Sequence, residues 1–307
     1  MGTNKKQKEA AYEDCCPASI PRERIPSRAD EKAALLSLRF RRGTGTFGMK
    51  HRKDPEIKYY KSYSDDFVES RRQSYRLPEG YSWIRGSIFY RALSRCLYAF
   101  TVFFSFLYFR LVLHAKFKNR SVLKQAGDTG YFLYGNHTQP VGDAFLPVRA
   151  LAPRRAYVVA SPANLGIPVL GPLLPLLGAL PLPDSVGGLK KLTRAIRLRV
   201  ESRNCVALYP EAHVWPWYTG IRPLPTAPFG FPAECGAPSF CMTTTYQKRK
   251  HGKKPGITVY LDGPFYPDRS LSRAKQKEKL RGEIFRCMER RSKNSTASYI
   301  RYEREAP

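Results

Sequence analysis

The chain contains five histidines, and two of them sit close to carboxylates in patterns that could support chemistry. In "GNHTQPVGDAFLP", His137 precedes Asp143 by six positions. In "YPEAHVWPWYTGIRP", Glu211 and His213 are two apart and are followed by Trp215, Trp217 and Tyr218. A neutral imidazole can accept a proton in a reaction once a partner fixes its tautomer, and a carboxylate does this well. Positions i and i+6 lie about 240° apart around a helix, so His137 and Asp143 cannot meet on one helical face. They need a non-helical turn, and Pro140 and Gly142 supply suitable backbone. Asp143 could instead cap a helix starting at Ala144. The second cluster suits a polar reaction site beside lipid, or else a packed loop with partly buried tryptophans. Lys190, Lys191, Arg194 and Arg222 could gather around a phosphate, or stand apart as solvated charges.

Both polar clusters follow short apolar runs. "YFLYGNH", "RRAYVVAS", "NCVALYPE", "FCMTTTYQK" and "ITVYLDGPF" read as strands, and "GALPLP" as one more short strand. "GGLKKLTRAIRLRVESRN" places Leu189, Leu192, Ile196 and Val200 at helical spacing. Alternating strands and helices predict an α/β fold with a mostly parallel central sheet flanked by helices. In such a sheet, sites form at the C-terminal ends of strands, which is where both clusters fall. "NLGIPVLGPLLPLLGALPLP" is apolar but carries five prolines. These exclude one continuous spanning helix, leaving part of the core or the wall of an apolar tunnel.

The remainder of the chain sets the surroundings. Residues 1–80 are charged and without sustained periodicity, which predicts a loosely ordered extension. Residues 81–118 are rich in Phe, Tyr and Leu, interrupted by arginines; the uncharged run from Cys96 to Phe109 is fourteen residues. A bilayer-crossing helix needs about 20; snorkelling arginines could extend the run to a marginal span, a membrane-associating helix lying in one leaflet fits better, and a buried core helix is the other reading. Residues 119–291 would form the α/β domain and 292–307 a polar tail. The 53 Lys and Arg against 25 Asp and Glu leave a net charge of +28, which calls for an anionic partner such as nucleic acid or a membrane surface. Seven scattered cysteines without a CxxC pair point to a reducing compartment, and the polar N-terminus predicts no cleavable signal peptide.

Together these residues resemble the lysophospholipid acyltransferases (1-acylglycerol-3-phosphate acyltransferases) from about residue 88 to 290. The resemblance rests on the aromatic-rich helix, "NHTQPVGD", "YPEAH" and "GAPSFCMTTTY", in that order, with the Pro-rich apolar segment between the first and third blocks. It implies that His137 is a general base on a lysophospholipid hydroxyl and that Asp143 orients it. The acyl donor would be acyl-CoA or an acyl carrier protein thioester, with no metal or other cofactor. Glu211 would bind the glycerol backbone, and Asn136 and Gly142 would support the loop or an oxyanion. Three features depart from the family. Five residues rather than four separate His137 from Asp143. Ala212, His213 and Val214 follow Glu211 where the family has Gly and then, one residue later, Arg. "ALPLPDS" lacks the arginine that usually ends the second block. The phosphate-binding role would then pass to Arg222, or to Lys190 or Lys191, with His213 beside the substrate. The protein would be membrane-associated with its site facing the cytoplasm.

Two other readings fit some of the same residues. His137, Asp143, Glu211 and His213 carry enough nitrogen and oxygen donors for one metal ion of a hydrolase. The basic charge alone would suit a non-enzymatic membrane-surface or nucleic-acid-binding protein, although no RNA-binding motif is present and nucleic acid is not expected as a partner.

Overall fold

Strand β3 (Tyr131–Gly135) is buried at every position and lies in the middle of a seven-stranded sheet. The computed structural model describes residues 55–68, 74–250, 252 and 254–305. The sheet runs β2 (Lys116–Lys118), β8 (Gly256–Phe265), β7 (Ser239–Gln247), β3, β6 (Cys205–Leu208), β4 (Ala156–Ala160), β5 (Ala179–Pro181). Neighbours pair in parallel except β7 with β8, whose antiparallel ladder is interrupted by a register shift between Ser239 and Cys241. The apolar runs read as strands are strands because a parallel sheet covered on both faces wants side chains of that kind on both sides.

Alternate residues of β3 feed two separate cores. Phe132 and Tyr134 pack with Leu192, Ile196 and Val200 of helix α4 (Val186–Glu201), and with Leu280 and Ile284 of helix α6 (Arg273–Ser292), which comes after the short helix α5 (Gly230–Cys235). Tyr131 and Leu133 pack on the other face with Leu146 and Leu151 of helix α2 (Gly142–Leu151) and with Tyr98 and Phe109. The Pro-rich segment is broken as expected: helix α3 (Leu170–Leu177) is short, and Val169 before it is 84% exposed.

Helix α1 (Ile88–Leu107) continues through a π-helical turn at Tyr108–Val112. The continuous helix of 25 residues is, by length and composition, apolar enough to cross a membrane, so the fourteen-residue uncharged run understated it. The arginines at positions 91, 95 and 110 fall within a helix rather than ending it. Its buried residues, Ser94, Tyr98, Ser105 and Phe109, fall on one face. That face is tied to the domain: Ser94 donates to the Leu176 carbonyl at 2.5 Å, and the Ala156 N–H donates to the Tyr98 hydroxyl at 2.7 Å. The opposite face exposes Phe89, Leu93, Phe100, Phe103, Phe104 and Leu111, so this is not a buried core helix.

The ends of the described chain differ from the expected extension and polar tail. Residues 1–54 lie outside the described residues, but β1 (Glu56–Tyr60) pairs in parallel with β9 (Ile300–Arg304) as a separate two-stranded sheet. Tyr60, Tyr63 and Phe67 then pack around Trp215, and Tyr302 stacks on it at 4.9 Å between ring centroids. Aromatics from the stretch expected to be loosely ordered are thus an anchor. Both ends of the described chain are pinned to the loop that follows β6.

Candidate functional site

His137 lies two residues beyond β3, and Asp143 lies in the first turn of α2. The Nδ1 of His137 and Oδ2 of Asp143 are 2.7 Å apart, with the Asp side chain 2% exposed and the His side chain 20% exposed. The same Oδ2 accepts from the Gln139 backbone N–H at 2.9 Å, so the carboxylate reaches back across the turn. No side chain caps the N-terminus of α2. The residues through Pro140 and Gly142 form the turn that i and i+6 require, and the helix dipole favours the carboxylate's charge at that end. The other carboxylate oxygen, Oδ1, is buried and meets no hydrogen-bond donor among the described residues.

The imidazole is clamped on its face and along its backbone. Tyr209 stacks on it with centroids 4.5 Å apart, and the Tyr209 hydroxyl donates to the Asp143 carbonyl at 2.6 Å. Burial, and then the nearby Asp143 charge, push the Tyr209 phenol well above its ordinary range, so it stays a neutral donor. Tyr209 can lie there only because residue 135 is glycine: a Cβ would fall 2.6 Å from the Tyr209 ring. The His137 carbonyl accepts from Trp215 N–H at 3.0 Å and the Thr138 carbonyl from Trp217 N–H at 2.9 Å. Tyr246 holds the next turn, its hydroxyl 2.7 Å from Thr138 Oγ1 and accepting from Gln139 Nε2 at 2.8 Å. Tyr209 and Tyr246 were visible in the sequence only as strand residues, because their partners lie far off in the chain, in the turn after β3 and the start of α2. With Nδ1 committed to Asp143, Nε2 is the free nitrogen: it makes no hydrogen bond among the described residues.

Glu211 is not placed to touch a substrate. It is 5% exposed, and its Oε2 accepts from the His137 backbone N–H at 3.1 Å and from Arg222 Nε and an Nη at 3.2 and 2.9 Å. Oε1 accepts from the Arg222 backbone N–H at 3.1 Å. Arg222 is itself only 1% exposed; its guanidinium also donates to the carbonyls of His213 and Tyr63 and lies over Trp215 at 4.8 Å. In this arrangement neither group faces an open surface: the two form one buried ion pair, and Glu211 also accepts from the backbone N–H of His137.

The remaining candidates spread out. His213 is 3.2 Å from Asp66 of the N-terminal segment. Asn136 has both amide atoms engaged with the backbone of Thr244, at 3.0 and 2.8 Å, which makes it a brace between β3 and β7 rather than an oxyanion donor. Gly142 opens α2 against Gln139, whose Cβ would sit 3.0 Å from an added methyl. Lys190 and Lys191 are exposed near the start of α4, which follows β5, three strands from β3. Lys190 and Arg194 line an open groove there of about 620 Å³. The four ligands of the metal reading therefore do not converge: His137 turns to Asp143, Glu211 to Arg222 and His213 to Asp66.

No family model matches the chain, and neither does any curated protein sequence. Among solved structures, one similar chain is the 1-acyl-sn-glycerophosphate (LPA) acyltransferase PlsC from Thermotoga maritima. The TM-score is 0.46 and the identity 13%, with 68% of this chain and 96% of that chain covered.

Ala212, where the resembled family has glycine, adopts a left-handed φ of 63°. A Cβ in that region costs about 1–2 kcal/mol, partly offset in any glycine variant by the larger entropy of its unfolded chain. Ala212→Gly is therefore expected to raise stability by about 0.5–1 kcal/mol. A urea unfolding midpoint unchanged or lowered would show that the turn is not strained there.

Proposed function

We propose that the protein transfers a fatty acyl group from an acyl thioester to the free hydroxyl of a lysophospholipid. The observation that carries this reading is the His137–Asp143 pair at 2.7 Å, with the second imidazole nitrogen left open at the C-terminal edge of a parallel sheet. Nε2 would take the proton of the acceptor hydroxyl as its oxygen attacks the thioester carbonyl. Asp143 would hold the imidazole in the tautomer that leaves Nε2 unprotonated, and would stabilise the imidazolium that forms. The tetrahedral intermediate would collapse by expelling the thiolate, which recovers the proton from His137. Acyl-CoA or acyl carrier protein serves as co-substrate. With Arg222 engaged by Glu211, Lys190 and Lys191 are the remaining candidates for the acceptor's phosphate.

The membrane would deliver the acceptor. The outer face of α1 and the neighbouring Val169, Leu170 and Leu173 expose apolar side chains, and a net charge of +28 favours an anionic leaflet on the cytoplasmic side. Because α1 is also bonded to the domain through Ser94 and Tyr98, one leaflet suits it better than a full crossing. A buried Phe contributes about 1.5–3 kcal/mol, so three half-sunk rings amount to about 3 kcal/mol. Replacing Phe100, Phe103 and Phe104 with serine should weaken sedimentation with anionic vesicles by about 10²-fold at unchanged melting temperature. Equal binding by the variant would place the membrane contact elsewhere.

The test of the activity is direct. Labelled acyl-CoA and labelled acyl carrier protein are offered to a panel of lysolipids, and the esterified product is followed. One acceptor should be acylated by the protein and not by its His137→Ala variant. Failure with every donor and acceptor would defeat the reading.

A further inference from the structure

Behind the sheet, on the face away from α1 and α2, lies a group of side chains that the proposed reaction does not use. Cys241 of β7, Cys287 of α6 and Asp262 of β8 bring their sulfur and oxygen atoms within 4.8 Å of one another. We propose that Cys241 and Cys287 form a reversible disulfide, a dithiol pair oxidised by hydroperoxides and reduced by thiols.

The surroundings favour thiol oxidation over a metal ion. Both oxygens of Asp262 are taken by Arg291, at 2.8 and 2.5 Å, so the only hard ligand is already paired with a fixed cation. A divalent ion would have to displace that guanidinium and sit beside it. A thiolate, in contrast, gains from the same cations. Hydrogen bonding from Cys241, aided by Arg290, holds the Cys287 thiol down to about 7 despite its burial and the Asp262 charge. Its partner, Cys241, is pushed well above the ordinary thiol range by that same hydrogen bond and by burial. The two cysteines thus take different parts. Cys287, 5% exposed, is the nucleophile within reach of a small oxidant, and Cys241, fully buried, is the resolving thiol.

The Cys287 thiolate attacks one oxygen of the hydroperoxide, breaking the O–O bond and becoming a sulfenic acid; the other oxygen leaves as hydroxide or alkoxide and takes up the proton released when the thiol ionised, departing as water or alcohol. Cys241 then attacks that sulfur. Hydroxide leaves, takes the Cys241 proton and departs as water. The sulfurs must close from within 4.8 Å to about 2.05 Å. Cys241 pairs with Tyr134, three residues before His137, and Thr244 braces Asn136, so the bond would form beside the supports of the base.

The full chain is treated with hydrogen peroxide under native conditions, then alkylated and digested with chymotrypsin, which separates Cys241 from Cys235 by cutting after Phe240. The expected result is the loss of two titratable thiols and a linked peptide pair containing Cys241 and Cys287, both reversed by dithiothreitol. Cys287→Ser should abolish the link, and Cys241→Ser should leave Cys287 as a sulfenic or sulfinic acid without a cross-link. Sulfinic Cys287 with Cys241 still reduced in the wild-type chain would overturn the proposal. So would stoichiometric zinc retained by the untreated protein and lost in Cys287→Ser, which would make the cluster a metal site. None of these readouts uses acyl transfer, so they stand apart from the proposed activity.

Discussion

His137→Ala is expected to lower kcat/KM for acyl transfer by about 10²–10⁴ while the protein stays folded and membrane-bound. The energetic reason lies in what the side chain does and does not hold. Its ring is partly exposed and contributes one hydrogen bond and one stacking contact. The loop around it is held by the backbone of residue 137, through Glu211 and Trp215, and alanine keeps both of those bonds. Asp143→Asn gives a sharper version of the same test. The amide is close in shape, but its NH₂ can donate to Nδ1 and so move the ring proton to Nε2, the nitrogen that must be free to accept. A loss of similar size is expected with little change in KM. Circular dichroism and vesicle sedimentation would establish that each variant is intact. Activity of His137→Ala within about threefold of wild type would remove the imidazole from the mechanism.

What the sequence revealed, and what it hid, follows from how local each interaction is. Strands β3 and β6 were legible because a strand buried on both faces is written as an unbroken apolar run, and β4, β7 and β8 from their β-branched and aromatic residues. Helix α4 was legible from Leu192, Ile196 and Val200, all of which are buried. The His137–Asp143 geometry was open to prediction because the pair is six residues apart and a turn between them is a local matter. Arg222 was illegible: its partner is eleven residues away across a loop in which Ala212 and Trp217 both adopt left-handed backbone. Nothing in a loop sequence announces such a fold-back, and an arginine there reads as a surface charge. The pairing of β1 with β9 was hidden for a different reason. It joins segments near opposite ends of the chain, and their mixed charged and aromatic residues read equally well as a solvated tail. A helix of spanning length was legible only as a marginal extension through snorkelling arginines, because nothing local to the sequence fixes whether a helix with one exposed face continues past them.

Arg222→Ala is expected to cost about 3–5 kcal/mol, the second large effect in the molecule. Removing the guanidinium leaves Glu211 as a buried carboxylate whose remaining donors are the two backbone N–H groups of His137 and Arg222. It also empties the space over Trp215 and frees the carbonyls of Tyr63 and His213 that Arg222 had satisfied. Arg222→Lys should recover little, since one ammonium cannot reproduce the fork that reaches Glu211 and two carbonyls at once. Replacing both partners, as in Glu211→Ala with Arg222→Ala, should cost less than the sum of the single changes by about 1–3 kcal/mol, because no unpaired charge then remains. Urea unfolding of the four proteins measures this coupling. Activity separates the buried role from the phosphate-binding role first expected of this arginine. If Arg222 only fixes the backbone of the base, any folded variant loses kcat and keeps its KM for acceptors with and without a phosphate. A variant of normal stability whose KM rises only for phosphate-bearing acceptors would mean that the guanidinium leaves Glu211 to meet the headgroup, and the ion pair would then be a resting arrangement rather than the support of His137.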